Sequence, residues 1–236
     1  MYNWSIFDDI ICISCKDSLK RREICDEIFK KYEIPARYSI VERNPNGINE
    51  GCFESHINIF KECYKNGKKN VLIFEDDIVP SEFLTPQNLN ICNDFMKNNK
   101  WDLFYLGAVP DVRTYHQMSK SKKEKGIYKI RSICTHAYVA NENIIKKYKD
   151  LNYEGIPIDY MFRDEETESY ALFPTLFYQN TGLIKYFSQD AINEYFKILE
   201  WYAYNFNFPL KYIVVIGIII IVLIIIIILI FRKRKK

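Results

Sequence analysis

Four short apolar runs, separated by helix-like stretches, constrain this chain more than any other feature. They are residues 10–14 (IICIS), 34–41 (IPARYSIV), 71–74 (VLIF) and 101–107 (WDLFYLG). The first and third are continuous runs rich in branched side chains, the pattern of strands buried on both faces. After the first run, Asp17 or Ser18 is placed to cap a helix that carries Ile24, Ile28, Phe29 and Tyr32 along one side. NPNG at 44–47 reads as a turn. A helix over 50–65 follows, with Phe53, Ile57, Phe60 and Tyr64 spaced i, i+4, i+7 and i+11 on one stripe, and Asn66-Gly67 ends it. A further helix is expected over about 86–98. This β-α-β-α-β-α-β order predicts an α/β domain with a mostly parallel sheet flanked by helices. Residues 108–127 are polar and lysine-rich and read as a loop; a helix is expected over 141–150. Residues 151–190 look irregular, with PTLFYQ as a candidate strand.

The C-terminal end obeys different physics. Residues 212–231 form an uncharged, strongly apolar run long enough to cross a bilayer, and RKRKK (232–236) follows it. We therefore expect a single-pass transmembrane helix over 212–231. A domain over 1–190 and an aromatic, amphipathic juxtamembrane helix over 191–211 precede it, the latter placing Trp201, Tyr202 and Tyr204 at the lipid interface. The basic tail favours a cytoplasmic C-terminus, and Asn3-Trp4-Ser5 is a formal glycosylation sequon. Against both, the N-terminus has no basic, apolar signal-peptide pattern. The seven cysteines are odd in number and suggest no disulfide framework. Cys12 and Cys15 lie on an extended run whose span of about 10 Å exceeds disulfide reach. Buried free thiols fit a reducing compartment, so the expected arrangement is a cytosol-facing domain on a C-terminal anchor. The net charge of +3 gives no global reason to expect a nucleic-acid partner.

The third apolar run ends in Glu75, Asp76 and Asp77. Ligands of open α/β sheets bind beyond the carboxyl ends of strands. Strict alternation would put Glu75 and Asp77 on one side and Asp76 on the other. Paired carboxylates raise each other's pKa unless a cation neutralises them, and a divalent ion with oxygen ligands does so. Lys20, Arg21 and Arg22 crowd a helix start, where cations are locally unfavourable, which hints at a bound anion. Taken alone, the acids equally suit a solvated turn or the start of a helix.

Longer stretches add to this. ICISCKDSLKRREICDEIFKKYEIPARYSIV, GCFESHINIFKECYKNGKKNVLIFEDDIV, WDLFYLG, THAYVANENIIKKY and IPIDYMF follow one another over about residues 10–180. In content and order they resemble glycosyltransferase family 25, which includes the lipopolysaccharide-type and procollagen galactosyltransferases. The resemblance implies a GT-A-like fold, with a single Rossmann-type sheet, and an inverting transfer of a hexose, expected to be galactose, from a UDP-sugar. It implies that Asp77, with Glu75, holds a divalent metal, Mn²⁺ or another, and that Glu75 and Asp76 lie toward the donor. Arg21 and Arg22 would approach the nucleotide phosphates. Asp159 would deprotonate the acceptor hydroxyl, with Glu165 and Glu166 in reserve. Ser55-His56 resembles a family pair, but its place beside an apolar stripe favours a structural role; His136 reads the same way, and Tyr138 is expected to pack. The acceptor would be a glycan, a lipid-linked sugar or a protein hydroxyl near a membrane. A second reading is a membrane-anchored recognition or adhesion protein that keeps the fold without turnover. A nucleotidyltransferase would need a glycine-rich phosphate loop, which the sequence lacks.

Overall fold

The structure is a computed structural model that describes residues 1–109, 122–124, 126–163 and 166–180. The expected transmembrane span 212–231, the juxtamembrane helix 191–211, the tail 232–236 and Glu165 lie outside the described residues. Among the described residues, no helix is long and apolar enough to cross a membrane.

The alternation expected from the sequence is present. Strands β1 (Asp9–Cys15), β2 (Arg37–Val41) and β3 (Val71–Glu75) are joined through helices α1 (Leu19–Lys31) and α2 (Ile48–Lys65). Strand β4 (Ile78–Pro80), helix α3 (Pro86–Asn98) and strand β5 (Leu103–Gly107) follow. Next come β6 (Lys122–Glu124), β7 (Ile127–Lys129), β8 (Ala137–Ala140), helices α4 (Glu142–Tyr148) and α5 (Ile158–Met161), then β9 (Ser169–Leu172) and β10 (Phe177–Gln179). Eight strands form one sheet in the order β2-β1-β3-β8-β5-β9-β7-β6, and β10 pairs with β4 in a separate two-stranded sheet. The large sheet is mixed. β8 runs antiparallel to both its neighbours, β3 and β5, and β7 runs antiparallel to β9 and β6, while the other six strands share one direction.

Alternation along the central strands divides the core into two layers. Leu72 and Phe74 of β3 and Cys12 of β1 face a cluster containing Cys25 and Phe29 of α1 and Leu89 and Phe95 of α3. Val71, Ile73 and Ile11 face the opposite way, onto Phe53, Ile57 and Phe60 of α2 and Ile144 and Ile145 of α4. Residues 71–74 are wholly buried, which is why both faces of β3 had to be apolar. Each such side chain contributes about 1.5–3 kcal/mol through burial. Thr85 Oγ1 accepts from Asn88 N at 3.2 Å and caps α3, with Pro86 in its first turn. Asn141 Oδ1 accepts from the amides of Asn143 and Ile144 and caps α4.

Several expectations need correction. Ser18 sits at the start of α1 but makes no side-chain cap, and Asp17 pairs instead with Arg43 Nε at 2.7 Å. Cys25, rather than Ile24, turns into the core, and Ile24 is 53% exposed. Tyr64 ends the stripe of α2 outside the core. Pro35 holds residues 34–36 out of the sheet, so β2 begins at Arg37. Strand β6 falls in the stretch that reads as a loop, β7 begins at that stretch's last residue, Ile127, and β9 falls in the stretch that reads as irregular. All seven cysteines are free; Cys12, Cys25, Cys63 and Cys92 are buried as expected, whereas Cys15, Cys52 and Cys134 are only partly buried.

Candidate active site

Strand β3 delivers the acids to the rim of the sheet, where the chain turns at residues 76–77 and re-enters β4. The turn breaks strict alternation, and the three carboxylates take different partners. Asp76 points toward β1 and α1. Its Oδ2 accepts from Ser14 Oγ at 2.7 Å and its Oδ1 from Arg21 Nη1 at 2.8 Å. The same guanidinium lies 3.7 Å from Asp77 Oδ2, so one arginine serves two acids. Asp77 also accepts from Gln179 Nε2 at 3.4 Å, and its backbone carbonyl accepts from Asn180 N. Its Oδ1 is buried and has no hydrogen-bond partner among the described residues. Arg22 takes a different course from Arg21. It donates to Ser14 Oγ and to the carbonyls of Cys15 and Lys16, bracing the end of β1.

Glu75 faces the other neighbour, β8. Its Oε1 accepts from Thr135 Oγ1 at 2.6 Å and lies 3.5 Å from Nε2 of His56, a fully buried side chain on α2. The other ring nitrogen of His56 bonds Tyr138 Oη at 2.8 Å. Cys52, one helical turn before His56, brings its sulfur to the same point. Thr135 and His136 stand just ahead of β8. His136 donates through Nε2 to Phe177 O at 3.3 Å, and Gly107 makes room for the ring. A Cβ on Gly107 would sit 2.3 Å from that nitrogen and 2.7 Å from the Phe177 carbonyl oxygen.

The charges are unevenly compensated. Burial pushes the Asp77 carboxyl up to about 7; Glu75 and Asp76 add to the rise, and Arg21 and Gln179 only partly oppose it. Burial also works against ionised Glu75, yet His56, Thr135 and His136 outweigh it and hold that carboxyl below its ordinary range. Asp159, half-buried in the first turn of α5, is raised by burial against the pull of Arg163, and the field of Glu75 adds to the rise. His136 is lowered by burial. A cleft of about 310 Å³ opens beside Asp76 and Asp77, walled by Arg21, Ile24 and Ile28 on one side and Val79 and Asn180 on the other.

The structure thus brings together Arg21, Glu75, Asp76 and Asp77, with Asp159 in their electrostatic field. Sequence reasoning passed over Ser14, Cys52, Thr135 and Gln179, and it read His56 as structural. The signal for Cys52 and His56 was their i, i+4 spacing, which puts both on one face of α2. Nothing local in the sequence marks Thr135 or Gln179, which arrive from distant strands.

Comparison with known proteins bears on this constellation. The family model described as "Glycosyltransferase family 25 (LPS biosynthesis protein)" matches residues 26–162, more than half of the chain. Procollagen galactosyltransferase 1 of Danio rerio is 29% identical over 89 residues, covering 37% of this chain and 14% of that protein. A glycosyltransferase 25 family member of Anopheles gambiae is 31% identical over 75 residues, covering 31% of this chain and 13% of that protein. The chain therefore matches only a small part of the length of these relatives. Among solved structures, a glycosyltransferase involved in the glycosylation of the major capsid of PBCV-1 superposes with a TM-score of 0.44 at 12% identity, over 80% of this chain and 99% of that one.

Proposed function

The chain belongs to glycosyltransferase family 25, and from that premise we propose that it is a metal-dependent, inverting glycosyltransferase. In this reading it moves a hexose, galactose by preference, from a UDP-sugar to a hydroxyl of a glycan, lipid-linked or protein acceptor. The observation that carries the reading is Asp77. Its carboxyl is buried at the sheet rim beside two other acids, is pushed up to about 7, and has an oxygen without a partner among the described residues. A site with surplus negative charge and an unmet acceptor fits a divalent cation. Asp77, with Glu75, would hold it. When bound, such a cation supplies positive charge beside the departing diphosphate.

The chain's own residues take the remaining roles. Asp76, saturated by Ser14 and Arg21, fixes the arginine at the mouth of the cleft. The side chain of Arg21 is 54% exposed, so its guanidinium can also meet phosphate oxygens. Arg22 holds the strand end on which Ser14 sits. Ile24 and Ile28 give the cleft an apolar wall suited to a base or ribose. Asp159 is the general base in this reading. The two nearby histidines, His56 and His136, are wholly buried, whereas Asp159 is half-buried and its raised carboxyl is a stronger base than an ordinary carboxylate. An anchor formed by 212–231, with the domain on the cytosolic side, belongs to the same proposal; it rests on the apolar run and raises the enzyme's local concentration near membrane-bound acceptors.

The test is hydrolysis of a panel of UDP-sugars by the detergent-solubilised chain with and without Mn²⁺. Turnover of one sugar that needs the cation and vanishes in Asp77→Asn supports the proposal. Undiminished turnover in that variant would remove Asp77 from the metal site.

A further inference from the structure

The cluster on the far side of Glu75 is unlike the cluster at Asp77. Ligand atoms of Cys52, His56 and Glu75 all lie within 4.8 Å of one another. Cys52 and His56 share one face of α2, and Glu75 meets them from the end of β3. Sulfur and imidazole are poor partners for Mn²⁺ or Mg²⁺ but good ones for softer ions.

We propose that Cys52, His56 and Glu75 form a second cation site, one for a thiophilic divalent ion of the zinc class, distinct from the hard-cation position at Asp77. Three features argue for it. First, His56 Nε2 is fully buried and has no hydrogen-bond partner among the described residues. It points at Glu75 Oε1 from 3.5 Å, too far for a good hydrogen bond. Zinc bonds of about 2.0–2.2 Å in a tetrahedron put neighbouring nitrogen and oxygen ligands about 3.4 Å apart, so the pair already stands at the edge length of such a site. Second, the outer partners are in place. Tyr138 Oη bonds the remote nitrogen of His56 at 2.8 Å, and Thr135 Oγ1 bonds Glu75 at 2.6 Å. When an ion binds, the proton of His56 sits on Nδ1 and is donated to Tyr138, so that Nε2 offers its lone pair to the ion. Ligating histidines and carboxylates are held in this way at metal centres. Third, three protein ligands leave a fourth position for water or a substrate atom. Glu75 is common to both sites, so an ion at Cys52 draws on charge that Glu75 would otherwise offer toward Asp77.

The experiment uses the full chain in detergent, stripped by chelation, with Co²⁺ as a coloured stand-in for Zn²⁺. One equivalent of Co²⁺ is expected to give a thiolate-to-cobalt charge-transfer band, bleached by Zn²⁺ and untouched by excess Mn²⁺. Cys52→Ser, a small change at a half-buried position, should abolish the band and weaken Zn²⁺ binding at least about tenfold, and Thr135→Ala should weaken it about tenfold. Asp77→Asn should keep the band, which separates this site from the donor's metal. Zn²⁺ should also shield Cys52, among the seven cysteines, from alkylation read residue by residue. No band in the folded wild-type chain, or a band that survives in Cys52→Ser, overturns the proposal.

Discussion

Replacing Asp77 by Asn in the metal-free protein should stabilise it, and by an amount that depends on pH. The Asp77 carboxyl is raised from 3.8 to about 7 by burial and by Glu75 and Asp76. A raised folded-state pKa means that the folded chain binds this proton more tightly than the unfolded chain does. The wild-type protein therefore loses stability as pH climbs from the unfolded value near 4 to the folded value near 7, and is flat above it. At about 1.4 kcal/mol per unit, the cost is about 1–2 kcal/mol at pH 5 and about 4 kcal/mol at pH 8. Asn carries no charge and lacks this slope. At roughly 2–4 °C per kcal/mol for a domain of this size, the variant should melt on the order of 10 °C above the wild type at pH 8, with a much smaller gap at pH 5. Thermal unfolding followed by circular dichroism in excess chelator at the two pH values measures this. Adding Mn²⁺ at pH 8 should raise the wild type and leave the variant where it was. Melting curves for the two proteins that stay parallel from pH 5 to pH 8 would refute the reasoning, because the burial of Asp77 would then carry no charge penalty.

Three further substitutions probe the same rim. Arg21→Ala leaves the buried Asp76 with Ser14 alone; because the arginine is half exposed, the expected loss is only about 1–2 kcal/mol in denaturant titration. UDP affinity by calorimetry should drop in the same variant, and an unaltered affinity would take Arg21 out of the donor site. Gly107→Ala forces a methyl against His136 and the Phe177 carbonyl, so the unfolding free energy from denaturant titration should fall by about 1–3 kcal/mol; an unchanged value would mean that β10 can retreat. Asp159→Asn should slow transfer by about 10²- to 10⁴-fold while UDP-sugar binding holds, and equal transfer rates would exclude it as the base.

The parts of the fold that were legible in the sequence share one property: each element is stabilised by its own periodic residues. Strand β3 had four consecutive apolar residues, and α2 had Phe53, Ile57 and Phe60 on one stripe, so both were readable within a residue or two. Strands β6, β7 and β9 were not, because they are short and the β6–β7 pair joins the sheet only through β9, which lies far along the chain. Ser169–Leu172 becomes a strand by lying beside Leu103–Tyr105, which no local pattern announces. The site divides along the same line. The acids and Arg21 were marked by a local oddity, charge at the end of a buried strand and at a helix start. Thr135 and His56 reach Glu75 only through the pairing of β3 with β8 and the packing of α2 under the sheet. His56 in particular looks like a core histidine by sequence and is one by burial, yet its unmet nitrogen faces the rim.

The reversal of β8 has a consequence for how such a molecule could be altered. Because that strand starts where β3 stops, the chain leaves the rim at Gly107 and comes back to it at Thr135. Whatever sequence fills the excursion returns to the mouth of the site. The half that grips Arg21 and Asp76 is secured separately, by an earlier turn of chain. A lineage could rewrite the excursion, and with it what is admitted on that side, while the nucleotide half is inherited untouched.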